Sequence, residues 1–283
     1  MRIEIAAHAG YCYGVKRAFD QIKGVPGGAE GGIYTLGPII HNPQAVEALK
    51  REKGVRPAKD LDEITEGTVV VRTHGLPPEV LERAKEKGLS IVDATCPHVK
   101  KAQQRALELV RDGYALVILG ERNHPEVVGI LAHAQGDGKV VEEPSDVESL
   151  GRLKRVGLVV QSTQEPEKLA EVTAKLSKCC RELKIYNTIC SATVDRQSAA
   201  RELARRADVM LVVGGKNSGN TRRLGHVCES EGVPTHHIES ARDLDPVWVE
   251  SASLVGVTAG ASTPGFVLRE VIERLEGLGG TLT

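Results

Sequence analysis

Aromatic side chains make up only 3% of the 283 residues, too few for a platform on which single-stranded nucleic acid could stack. Neither sign of charge is in excess. The 37 basic and 38 acidic side chains nearly cancel, and no long basic run occurs, so a polyanion finds no electrostatic footprint. No window reaches the roughly 18 apolar residues of a membrane span. Residues 1–9 carry one positive charge and then alternate as a short strand, without the apolar stretch of about 7 to 15 residues that marks a signal peptide. These absences predict a cytoplasmic protein that engages neither nucleic acid nor membrane. There is also no C-x-x-C pair, which leaves zinc ribbons, thioredoxin-like redox pairs and bacterial ferredoxin runs without support. The phosphate-binding patterns G-x-x-x-x-G-K-S and G-x-G-x-x-G are missing too, so a nucleoside triphosphate or dinucleotide is not the expected ligand.

What is present is an ordinary globular composition, 41% hydrophobic and 27% charged, with enough chain to bury a substantial core. Apolar, β-branched runs at 68–71, 115–119, 156–160, 209–213 and 254–257 alternate with helical stretches, the pattern of a parallel α/β protein. Segments 78–87 and 165–178 carry a proline near the first turn, which marks them as helix starts.

More informative is an internal repeat. The chain reads C-Y-G-V-K-R-A from Cys12, C-P-H-V-K-K-A from Cys96 and C-S-A-T-V-D-R-Q-S-A from Cys190, each cysteine following a strand-like run and opening a helix. An apolar run then ends in a glycine at Gly37, Gly120 and Gly214, which lie 25, 24 and 24 residues beyond their cysteines. A second strand in each copy ends in a polar turn, at His74, at Ser162 and Thr163, and at Ser262 and Thr263. Strands at 89–92 and 183–186 close the first two copies, whereas the third ends in the helix 266–275. The strand at 2–6, leading into Cys12, is expected to supply the missing piece and to lie with the C-terminal third.

In parallel α/β units, ligands bind beyond the carboxyl ends of the strands, where loops and helix N-termini present free N–H groups. All of these landmarks sit at such ends. Four of the five asparagines (Asn42, Asn123, Asn217, Asn220) and three of the nine histidines (His41, His74, His124) fall in these loops. Turn preference accounts for asparagine but poorly for histidine. With Ser218, Asn220 and Ser262, the three imidazoles make a candidate anion cradle. Glu126, two residues after His124, is a candidate proton shuttle, or a carboxylate that only favours the helix dipole.

The six cysteines divide into two sets. Cys179, Cys180 and Cys228 read as small hydrophobes. Cys12, Cys96 and Cys190 offer one thiolate per module, suited to an iron–sulfur cluster or to zinc; buried helix-start thiols are the plainer alternative. On a four-iron cluster, three ligands leave one iron open to substrate.

The segments G-Y-C-Y-G-V-K-R-A at Cys12, L-G-P-I-I-H-N-P at His41, R-T-H-G at His74, D-A-T-C-P at Cys96, N-H-P-E at His124, T-I-C-S-A-T at Cys190, K-N-S-G-N-T at Ser218 and A-G-A-S-T-P at Ser262 resemble, in order and over almost the whole chain, the 4-hydroxy-3-methylbut-2-enyl diphosphate reductase family. The resemblance implies an α/β fold of three pseudo-threefold-related modules with mainly parallel sheets around a central 4Fe–4S cluster. The modules would be 13–96, 97–190 and 191–283, the last completed by 1–12. It further implies reductive removal of an allylic hydroxyl, with electrons from an external donor such as ferredoxin or flavodoxin.

By position, Cys12, Cys96 and Cys190 would be the metal ligands, with the fourth iron open. His41, His74, His124, Ser218, Asn220 and Ser262 would hold the diphosphate, with Ser162 and Gly219 also at substrate-contact positions. Glu126 would donate protons, with Thr163 as a relay. Two positions depart from the family pattern: Ser162 stands where threonine is common, and Gly219 where a second serine often stands. A quinolinate-synthase-like dehydratase and a non-catalytic iron–sulfur sensor remain as rival readings of the cysteine pattern.

Overall fold

The computed structural model describes residues 1–26 and 31–283. In chain order the first elements are β1 (Arg2–Ile5), α1 (Tyr13–Gly24), β2 (Ile33–Leu36), α2 (Pro43–Lys53), β3 (Val55–Ala58), β4 (Thr68–Val71), α3 (Pro78–Glu86) and β5 (Ser90–Asp93). There follow α4 (Pro97–Arg111), β6 (Ala115–Leu119), α5 (Pro125–His133), β7 (Lys139–Val141), β8 (Leu153–Val160), α6 (Pro166–Cys179) and β9 (Cys180–Tyr186). The last are α7 (Ser191–Ala204), β10 (Val209–Val213), α8 (Gly219–Ser230), β11 (Thr235–Ile238), β12 (Leu254–Ala259), α9 (Gly265–Glu276) and β13 (Thr281–Leu282). None of the described helices is long and apolar enough to cross a membrane.

Two compact units are formed, one of residues 1–16, 40–52 and 191–283, the other of residues 17–39 and 53–190. In the first unit a five-stranded parallel sheet runs β11-β10-β12-β1-β13. Alternation along β10 divides its side chains between the two faces. Val209, Leu211 and Val213 pack with Val267, Val271 and Leu275 of α9, while Met210 and Val212 pack with Leu203 of α7 and Leu224 of α8. Strands covered on both faces need continuous apolar runs, which is why 209–213 reads V-M-L-V-V. The N-terminal strand β1 pairs in parallel with β12, Ile3 opposite Val255. The short β13 adds to the outer edge of β1; its sequence, T-L between glycines and the chain end, carries no strand signal of its own.

The second unit holds two four-stranded parallel sheets, β3-β2-β4-β5 and β7-β6-β8-β9. One face of the latter packs on α6 through Leu169, Val172 and Leu176, and the other on α4 and α5 through Ala102, Ala106, Val127 and Ile130.

All three sheets share one strand order: second, first, third, fourth. In the five-stranded sheet β10, β11 and β12 are the first three and β1 takes the fourth place. The repeat extends to single hydrogen bonds. Gly37 donates to Ala58, Gly120 to Val141 and Gly214 to Ile238, at 2.8, 3.0 and 2.9 Å.

Candidate functional site

Each repeat cysteine stands at the amino end of a helix, and each is anchored in the same way. The backbone N–H of Cys12 donates to Ala261 at 3.1 Å, that of Cys96 to Thr73 at 3.0 Å and that of Cys190 to Ser162 at 2.9 Å. The acceptors immediately precede Ser262, His74 and Thr163, so these three side chains occupy one repeat position. A buried Arg196 guanidinium donates to the Gly10 carbonyl at 2.7 Å and steadies the approach to Cys12.

All three thiols are half-buried, each at the N-terminus of a helix. The other cysteines are built differently. Cys228 is fully buried, and burial pushes its thiol up to about 12. Cys179 and Cys180 both donate to the Leu176 carbonyl, at 3.3 and 3.1 Å, and burial raises the Cys180 thiol. As a donor set, Cys12, Cys96 and Cys190 therefore fit a thiophilic iron–sulfur group, and the remaining three do not.

The second loop of each module ends in a residue that caps the next helix. Asn42 Oδ1 accepts from Ala45 N–H at 2.9 Å, His124 Nδ1 from Glu126 N–H at 3.1 Å and Ser218 Oγ from Thr221 N–H at 3.3 Å. Capping sets the tautomer of His124: with Nδ1 accepting, the neutral ring carries its proton on Nε2 and presents a donor there. The His74 ring stands edge-on to it, with centroids 5.3 Å apart.

Within the first unit, Ser218, Gly219 and Asn220 form the opening of α8 and are buried. Neither side-chain amide atom of Asn220, which is 6% exposed, has a hydrogen-bond partner among the described residues. A buried amide left in that state is costly. Ser262 Oγ points at the His41 carbonyl at a long 3.5 Å. The His41 loop passes so close to Gly215 that a Cβ there would lie 2.3 Å from the His41 carbonyl oxygen.

In the second unit, Glu126 is 1% exposed, in the first turn of α5. Its Oε1 accepts from the Ser162 backbone N–H at 2.6 Å and its Oε2 from the Ser162 hydroxyl at 2.8 Å. The Ser162 hydroxyl is thus seated on the Glu126 carboxylate. Thr163, expected as the relay, accepts from Gln161 Nε2 at 3.1 Å. Sequence spacing gives no sign of this pairing, because the two partners lie 36 residues apart.

Residues 3–276 match the LytB protein family. The chain is 47% identical over 275 residues to the 4-hydroxy-3-methylbut-2-enyl diphosphate reductase of Pelobacter propionicus, spanning 97% of this chain and 98% of that one. To the enzyme of that name from Aquifex aeolicus it is 45% identical over 278 residues, spanning 97% and 96%. Among solved structures, an (E)-4-hydroxy-3-methyl-but-2-enyl diphosphate reductase, described as the terminal enzyme of the non-mevalonate pathway, shares 44% identity with a TM-score of 0.71, over 98% of this chain and 100% of that one. The E-1-hydroxy-2-methyl-but-2-enyl-4-diphosphate reductase of Plasmodium falciparum has a TM-score of 0.93 at 26% identity, over 100% and 91%. By a match that runs from the first strand to the last helix, the chain belongs to the LytB family.

Proposed function

We propose that this chain reduces 4-hydroxy-3-methylbut-2-enyl diphosphate to isopentenyl and dimethylallyl diphosphate. One C–O bond breaks and one C–H bond forms; two electrons and two protons are taken up, one proton ending on carbon and the other on the hydroxyl, which departs as water. The family is one of iron–sulfur oxidoreductases. When bound on Cys12, Cys96 and Cys190, a 4Fe–4S cluster supplies single electrons, received from an external carrier such as ferredoxin or flavodoxin, and an iron without a protein ligand that polarises the substrate oxygen. A cytoplasmic setting keeps those thiols reduced. On this reading the modules are 13–96, 97–190 and 191–283 with 1–12, one thiolate each.

The protein's own part is binding and proton delivery. The diphosphate takes up the Asn220 amide, the Ser218 and Ser262 hydroxyls, the Gly219 backbone N–H and the imidazoles of His41, His74 and His124, which fixes the carbon chain. The Glu126–Ser162 pair carries the assignment of the proton path. Glu126 is the reservoir: protonated at Oε2, it would donate to the Ser162 oxygen 2.8 Å away as the Ser162 hydroxyl turns and passes its own proton to the departing oxygen. The Ser162 carbonyl meanwhile accepts from Cys190 N–H, so the same residue grips the proton donor and the segment of one proposed ligand.

Anaerobically purified protein, reduced chemically and given the allylic diphosphate, tests the reading. Consumption of substrate to the two isomers is expected, with about four irons and four sulfides per chain. Zinc without sulfide, or an intact cluster that leaves the substrate untouched, would overturn it.

A further inference from the structure

Gln103 lies on α4, seven residues beyond Cys96, and is 4% exposed. Its Nε2 is buried with no hydrogen-bond partner among the described residues. The matching positions, seven beyond Cys12 and Cys190, hold Phe19 and a second buried glutamine, Gln197, so one of the three modules does without an amide here. The amide end occupies a slot made by two glycines. A Cβ on Gly75 would lie 2.7 Å from Nε2, and one on Gly129 3.3 Å from Nε2 and 3.5 Å from the His74 carbonyl oxygen. Gly75 directly follows His74 and has φ +81°, a conformation that already favours glycine. Gly129 is inside α5, where glycine weakens a helix, and its missing side chain is what admits the amide.

We propose that Gln103 is a positioning residue: its side-chain amide, lodged between Gly75 and Gly129 beside the His74 carbonyl, fixes the turn carrying His74 against the helix that starts at His124 and carries Glu126. This rests on the reading of His74 and His124 as diphosphate-binding groups. The distance between those imidazoles decides whether both reach one anion, and the Gln103 amide is the wedge that sets it. Gln103 also lines, with Gly75, a cavity of about 200 Å³ whose walls include Leu76, Leu81 and Leu107 as well as Asp93 and Lys100, so a side chain of similar size without an amide can be accommodated.

The test compares native protein with Gln103→Leu and Gly129→Ala, each reconstituted with iron and sulfide, by melting temperature, cluster EPR, and kcat and KM for the allylic diphosphate. Gly129→Ala improves helix propensity while pressing on the amide from α5, and so separates positioning from stability. The expected result is a KM raised roughly tenfold in both variants, with kcat changed by less than about threefold, EPR unchanged, and a melting temperature for Gly129→Ala no lower than native. Native turnover with unchanged KM in Gln103→Leu overturns the inference alone. So does a fall in melting temperature and kcat with KM unchanged, which is the signature of packing. If Gln103→Leu fails to fold, Gly129→Ala decides by the same KM criterion. Native protein that does not turn over the diphosphate overturns the functional reading, and this inference with it.

Discussion

Ser162 holds Glu126 by both carboxylate oxygens, through its backbone N–H at 2.6 Å and its hydroxyl at 2.8 Å. The backbone contact survives every substitution at position 162 except proline, whereas the other needs a hydroxyl. Glu126→Gln removes the proton and sets an amide against the Ser162 donors; kcat is expected to fall about 10²- to 10⁴-fold, with KM and the EPR signal kept. Ser162→Ala leaves the backbone contact and should lower kcat about tenfold, while Ser162→Thr, which keeps the hydroxyl, should stay near native. Unchanged kcat in both Glu126→Gln and Ser162→Ala would show that protons arrive by another route.

Asn220 separates stability from binding. Its amide is buried and has no hydrogen-bond partner among the described residues, so Asn220→Ala gives up no hydrogen bond there. The melting temperature should hold or rise, because a buried unsatisfied group costs about 1–3 kcal/mol. KM for the diphosphate should rise at least about tenfold. Calorimetric unfolding alongside kinetics checks both; a large drop in stability with native KM would make Asn220 structural.

The cysteines should divide by iron content. Cys12→Ser, Cys96→Ser and Cys190→Ser are expected to lose the cluster, whereas Cys228→Ser should keep it. Cys228→Ser instead buries a hydroxyl among apolar neighbours, at a cost of about 1–3 kcal/mol. Thiol titration of the native apoprotein should leave Cys228 unmodified well below pH 12, given its thiol at about 12.

Asp93 pins the approach to Cys96, accepting from Thr95 N–H at 3.0 Å and pairing with Lys100. Burial raises its pKa, but hydrogen bonds from Lys100 and Thr95 outweigh burial and hold the carboxyl below its usual value. A carboxyl whose pKa is depressed on folding stabilises the protein above its unfolded value and loses that contribution as pH falls through the folded one. The melting temperature of native apoprotein should therefore exceed that of Asp93→Asn near pH 6. The gap should close as pH drops through and below about 3.9. A gap independent of pH would assign the effect to shape.

Much of this was legible in the sequence because it is local or periodic. Continuous apolar runs such as V-M-L-V-V exist only for strands covered on both faces, and three helix starts after cysteine at matched spacing identify the repeat. The incomplete third copy even points to where the first strand goes, since a sheet of that order lacks its fourth member until β1 fills it.

Other features had no local signal. That the Ser162 hydroxyl meets Glu126 depends on the direction of two side chains 36 residues apart, which is not set until the turn after β8 is folded. Gln103 is silent for the same reason, since its meaning comes from two glycines that leave room for it. The three cysteines, and the order of the elements around them, follow from hydrophobic periodicity and repeat spacing, which act along the chain. The partner each polar atom takes, or lacks, was decided only by tertiary structure, because hydrogen bonds depend on ångström-scale positions that packing sets and periodicity does not encode.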